Sequence, residues 1–125
     1  MTATGTFEVR LTTQPADAIS VMSIDKQFHG DLQATSKGQM LAVHGEVKGS
    51  AGYVAMERVS GTLAGHRGTF AFQHTGTMNR GVAELQVTVV PDSATGDLTG
   101  LSGQMTIIVA DGKHSYEFEY NLATM

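Results

Sequence analysis

With 125 residues, 41% hydrophobic and only 16% charged, the chain is long enough to enclose one core and too apolar for disorder, so residues 1–125 read as a single domain. Its eight Lys and Arg never stand side by side and are outnumbered by twelve Asp and Glu, for a net charge of -4, which speaks against nucleic acid as a partner. The absence of cysteine excludes a disulfide framework, a zinc–thiolate site and a thiol nucleophile. The first residues lack the basic start and apolar core of a secretory signal, and no apolar run approaches a membrane span. A cytoplasmic protein with no membrane partner is therefore expected.

Strand periodicity runs through nearly the whole sequence, and helical periodicity is hard to find. Residues 4–13 alternate, with Phe7, Val9 and Leu11 opposite Thr6, Glu8, Arg10 and Thr12, up to a break at Gln14-Pro15. Residues 19–28 place Met22, Ile24 and Phe28 opposite Val21, Ser23 and Asp25. His29-Gly30-Asp31 reads as a turn. A third strand begins over residues 32–35, is interrupted by Ser36-Lys37-Gly38 and resumes over 39–47. After the Lys48–Gly52 turn come two long strands, 53–63 and 68–78, joined at Ala64-Gly65-His66-Arg67. Asn79-Arg80-Gly81 leads into 82–90. Residues 91–103 are irregular, with room for one helical turn at 95–100. The last two strands, 105–110 and 114–122, flank Asp111-Gly112-Lys113, a strong hairpin signal.

About eight regularly spaced strands with no helix of any length predict an all-β fold, an eight-stranded antiparallel β-barrel. Such a barrel is wide enough for side chains or one small ligand, and closure removes edge strands. Alternation then sorts the faces. His114, Tyr116, Phe118 and Tyr120 share the apolar face of the last strand, and Phe70, Phe72 and His74 share that of the fifth. In 53–63 either face could be the inner one: Tyr53, Ala55, Glu57 and Val59 on one side, Val54, Met56 and Arg58 on the other.

Two titratable residues stand out among apolar neighbours. Glu57 is read either as a structural salt-bridge partner or as a desolvated carboxylate able to act as a base. His74 is read either as a hydrogen-bonded core histidine or as a cavity-lining acid–base group. Those two are the candidate catalytic residues. Tyr53, Phe70, Phe72, Tyr116, Phe118, Tyr120, Met22 and Met40 are the candidate ligand-binding set. The other histidines, His29, His44, His66 and His114, lie near strand ends and suit rim positions. Metal-ligand spacings such as HxH or HExxH, a GxSxG elbow, a Walker loop and a strand-following GxGxxG are all missing, so no metal and no cofactor is expected.

The segments FHGDLQATSKGQML, GYVAMERVSGTLAGHRGTFAFQHTGTM, VVPDSATGDLTGLSGQM and DGKHSYEFEYNL occur in an order that resembles a bacterial family, domain of unknown function 3224. The sequence departs from that pattern in loops, at 92–96 and at His66. The resemblance implies an allene oxide cyclase-like, calycin-like barrel with a central cavity. The leading expectation for function is a small-molecule-binding barrel of the isomerase, cyclase or lyase kind that works by cavity shape and one acid–base group. In that reading Glu57 or His74 abstracts a proton from a carbon acid, and Tyr116, Tyr120 or an inward Arg58 stabilises the charge that develops. A non-catalytic carrier or sensor of a small apolar ligand is the competing class. A homo-oligomer is expected, with Val54, Met56 and Arg58 as a candidate interface.

Overall fold

The computed structural model describes residues 1–14 and 18–122; the predicted break at Pro15 lies outside them. The strands are β1 (Thr2–Gln14), β2 (Ser20–Gly30), β3 (Leu32–His44), β4 (Ala51–Leu63), β5 (His66–Asn79), β6 (Val82–Val89), β7 (Ser102–Ala110) and β8 (Lys113–Asn121). Each pairs antiparallel with the next, and β8 returns to β1, giving a closed eight-stranded barrel. One 3-10 turn, Gly96–Leu98, sits in the single long connection, where the sequence allowed one helical turn.

Tight turns set the register. Ala64-Gly65, Arg80-Gly81 and Asp111-Gly112 all take positive φ at both positions, the geometry of two-residue hairpin turns whose twist matches that of the strands. The turn after β4 is shorter than the sequence suggested, so β5 begins at His66. β3 is also continuous from Leu32 to His44, without the expected interruption at Ser36-Lys37-Gly38. That polar trio resembles a turn in composition, yet each member has a place in the ladder. Ser36 points inward and is buried, Lys37 points outward, and Gly38 pairs with both Ile24 and Glu57.

The register also settles β4. Ala55, Glu57, Val59 and Leu63 are buried on the inner face, whereas Val54, Met56 and Arg58 are exposed on the outer one. Arg58 therefore has no access to the interior, in contrast to the role considered for it.

Inside, the barrel divides into two halves. At the end formed by the β2–β3 and β4–β5 turns and the long connection, Phe28, Leu32, Leu63, Phe70, Leu98 and Tyr116 fill the lumen and have essentially no exposed surface. Aromatic rings interlock there: Phe72 meets Phe118 edge-on at 5.4 Å, and Phe70 stacks on Phe118 at 6.2 Å. At the opposite end the same inward alternation leaves large apolar side chains in contact with solvent. Leu11 is 49% exposed, Met78 41%, Leu85 43% and Val109 65%. One half is a packed core and the other an open mouth.

Tyr116 ties the closed end together. Its hydroxyl donates to the His29 carbonyl at 2.9 Å and accepts from the Leu32 amide at 2.9 Å, on the two sides of the β2–β3 turn. Tyr116→Phe leaves that buried amide unsatisfied and should destabilise the protein by about 1–3 kcal/mol. Urea titration should register this as a lower midpoint with an unchanged slope.

Candidate functional site

The floor of the open half is a chain of polar side chains centred on Glu57. Three successive rows of the ladder supply it. Met22, Met40, Ala55, His74 and Val87 form one row, Ile24, Gly38, Glu57 and Phe72 the next, and Lys26, Ser36, Val59 and Phe70 the third. Glu57 on β4 reaches across β3 to touch β2. Gly38 makes this possible: a Cβ at that position would lie 2.8 Å from the Glu57 Cβ and closer still to the β4 backbone. With no side chain there, the carboxylate crosses over Gly38 to its partners.

Those partners are complete. Lys26 Nζ donates to Glu57 Oε1 at 3.0 Å, His74 Nε2 donates to the same oxygen at 2.7 Å, and Ser36 Oγ donates to Oε2 at 2.6 Å. Lys26 is itself almost enclosed, its ammonium 5.0 Å from the centre of the Phe7 ring. Burial by itself would raise the Glu57 pKa. The His74 hydrogen bond, the Lys26 charge and the Ser36 hydroxyl outweigh it and hold the carboxylate down at about 2, from an ordinary 4.5. Glu57 is therefore an anion at physiological pH and a weak base. A carboxylate held down in this way is a poorer proton acceptor than one raised by burial, and its hydrogen bond fixes the orientation of the His74 ring.

An ionised carboxylate can only accept, so His74 must carry a proton on Nε2. When the ring is neutral its lone pair then lies on Nδ1. Nδ1 meets no hydrogen-bond partner among the described residues. No enclosed side-chain nitrogen or oxygen there goes unsatisfied, so Nδ1 retains an opening to solvent. Above the His74 row lies a cavity of about 430 Å³, with Met22, Met40, Ala42, Tyr53, Gly76 and Leu85 in its wall. The Tyr53 ring is 6.5 Å from that of His74 and lies across Gly76, where a Cβ would stand only 2.2 Å from a ring carbon. Burial, and secondarily the charge of Glu57, raises the Tyr53 pKa and keeps its hydroxyl protonated.

The predicted residues thus separate. Glu57 and His74 are in direct contact, and Tyr53, Met22 and Met40 lie at the cavity. Phe70, Phe72, Tyr116, Phe118 and Tyr120 belong to the packed half, where they contact one another and the leucine plug. The Tyr116 hydroxyl, considered for charge stabilisation, is spent on the backbone. Sequence reading missed Lys26 and Ser36. Lys26 was legible in principle, since it falls between Ile24 and Phe28 on the inward alternation; Ser36 was hidden by its turn-like neighbours. No group of three His, Cys, Asp or Glu suited to a metal occurs among the described residues.

Two measurements follow from this chain. Lys26→Met strands a buried carboxylate and should cost about 3–5 kcal/mol, much of it recovered in Lys26→Met/Glu57→Gln, as read by denaturant melts. Because the folded-state pKa of Glu57 lies below its unfolded value, the stability it contributes is present above pH 4.5 and is lost as pH falls towards 2. The stability difference between wild type and Glu57→Gln should shrink across that window by roughly 3 kcal/mol.

Comparison with known proteins agrees with this architecture. The family model described as Protein of unknown function (DUF3224) matches residues 3–120. A solved structure of a DUF3224 protein of unknown function from Shewanella oneidensis MR-1 is similar over the full length, with a TM-score of 0.96 and 44% identity, covering 100% of this chain and 98% of that one. No curated protein gives a significant match. Family model and solved structure coincide over nearly the whole barrel, and the chain belongs to the DUF3224 family.

Proposed function

We propose that this protein binds a small, mainly apolar molecule in the open half of the barrel and exchanges a proton with it through His74. One observation carries the reading. His74 is fixed through Nε2 by an ionised carboxylate, its Nδ1 has no partner among the described residues, and Met22 and Met40 of the same row line an apolar cavity of about 430 Å³. A carboxylate that orients an imidazole and stabilises its charged form is a recurring device for a general base. An apolar wall with few polar groups is the usual make-up of a small-molecule site. Isomerisation, cyclisation or elimination initiated by removing a proton from a carbon acid fits this set, since each needs one base and a shaped container. Likeness to the allene oxide cyclase barrels belongs to the same reading.

Tyr53 assists by donating a hydrogen bond to the oxygen on which charge develops, which its high pKa permits. The carrier reading shares the cavity but needs no proton exchange, and the completeness of the Glu57 network favours it to the extent that the network only supports the fold.

The test separates them. The protein, incubated with a metabolite extract in heavy water and examined by native mass spectrometry, should retain a small molecule. That molecule should gain deuterium at an acidic carbon with wild type and not with His74→Ala. Retention without deuterium leaves a carrier and removes the enzyme. Absence of any retained molecule, equally in wild type and in a cavity-filling Ala42→Phe variant, removes both.

A further inference from the structure

We propose that the side of the barrel between β6 and β7 is a strand-acceptor slot. It takes an extended segment of a partner chain, with apolar residues at alternate positions and a Lys or Arg between them. This goes beyond the small-molecule reading and does not depend on it. The observation is a gap in the ladder. β6 pairs with β5 along its whole length, and β7 pairs with β8 along its own. Between β6 and β7, among the described residues, the ladder consists of Val87↔Met105 and Thr88↔Gln104. Towards the open mouth, residues 82–86 of β6 and 106–110 of β7 therefore each present an edge without a ladder partner. Closure of a barrel normally removes such edges, whose unpaired amides and carbonyls are templates for another strand.

The gap is built in. The Gly81 amide donates to the Gly49 carbonyl at 3.0 Å, and the Arg80 amide donates to Ser50 Oγ at 3.0 Å. Both acceptors lie in the loop joining β3 to β4, across β5 from β7, so these bonds hold the tip of the β5–β6 hairpin on the far side of the gap. The β7 stretch, TIIVA, has neither the charge nor the proline that commonly blunts an edge. Geometry then selects the occupant. With an edge on each side, the slot takes one strand that is free on both of its own sides. A second folded copy offers strands already paired on at least one side, and β6 stands where the next of them would lie. The fitting partner is an extended segment with no sheet of its own, about five residues or 17 Å long.

Side chains set its chemistry. Continuing the register of Val87↔Met105 sets Leu85 opposite Ile107 and Ala83 opposite Val109. These four alternate with the buried Val87 and Met105 and so share the lumen side, where Leu85 and Val109 stay in contact with solvent. Inward residues of the segment that cover them are apolar. On the outer side Glu84 is the only charge of the two stretches and lies midway along the slot. Glu117 of β8, paired with Thr106, has the same sign, while Arg80, Asp111 and Lys113 stand at the hairpin tips beyond the slot. A cation at the centre of the segment is the complement.

The probe is the peptide TVKVT carrying fluorescein at its N-terminus. Its lysine falls opposite Glu84 in either orientation, and its valines face inward. Fluorescence anisotropy should show binding, and amide hydrogen exchange should slow in both 82–86 and 106–110. The peptide TVEVT should bind up to about fivefold more weakly, and Glu84→Lys should reverse that order. TVKVT N-methylated at both valines, which loses the donors that pair with an edge, should bind roughly tenfold more weakly or worse. Absence of binding by TVKVT at about 1 mM, equal affinity of the N-methylated peptide, or protection that spares either edge overturns the proposal. Concentration-dependent dimerisation of the protein alone, with protection of 106–110, overturns it in favour of a second copy.

Discussion

Everything inside this barrel is arranged around one buried anion. A carboxylate held at 2% exposure is costly unless its charge is matched and its lone pairs are filled. Here β2 supplies the cation, β3 a hydroxyl and β5 an imidazole. Four consecutive strands are thereby tied at the same level of the lumen. The cost of leaving any partner out fixes the register of β2 to β5 as firmly as the hydrophobic pattern does, because a shift of one residue would turn Lys26 or His74 outward and leave Glu57 alone.

The level of that anion also marks where the filling of the barrel changes. Below the Glu57 level, side chains are large and aromatic, and Leu98 from the 3-10 turn seals the bottom. Above it, Ala42, Ala51, Gly76, Ala83 and the methionines line a cavity, and the inward Leu11, Leu85 and Val109 stay in contact with solvent. The polar floor is thus the boundary between a core that stabilises the fold and a space whose walls are apolar without being packed. His74 belongs to the network through Nε2, while its Nδ1 has no hydrogen-bond partner among the described residues.

Much of this was legible in the chain. The strand count, the hairpin turns at Arg80-Gly81 and Asp111-Gly112, and the inward faces of β5 and β8 follow from the two-residue period and from glycine at positive φ. Glu57 and His74 stood out because they continue apolar faces. Lys26 did so too, but a lysine near the middle of a strand reads as a solvent-facing residue unless something inside needs its charge. Ser36 and Gly38 read as a turn, because composition alone does not distinguish a break in a strand from a gap made for a neighbour's side chain.

Alternation is a local property, so the sequence by itself determined which side chains of each strand share a face, and hence the eight-stranded all-β architecture. It could not determine how far around the barrel a side chain reaches. Only closure and register brought Lys26 of β2 to Glu57 of β4 across the empty position of Gly38, and only the fold separated the aromatic face into a sealed half and an open one. The physical reason is that the lumen is a shared volume. What a residue does there depends on which residues from other strands occupy the same level, and that is set by the tertiary structure.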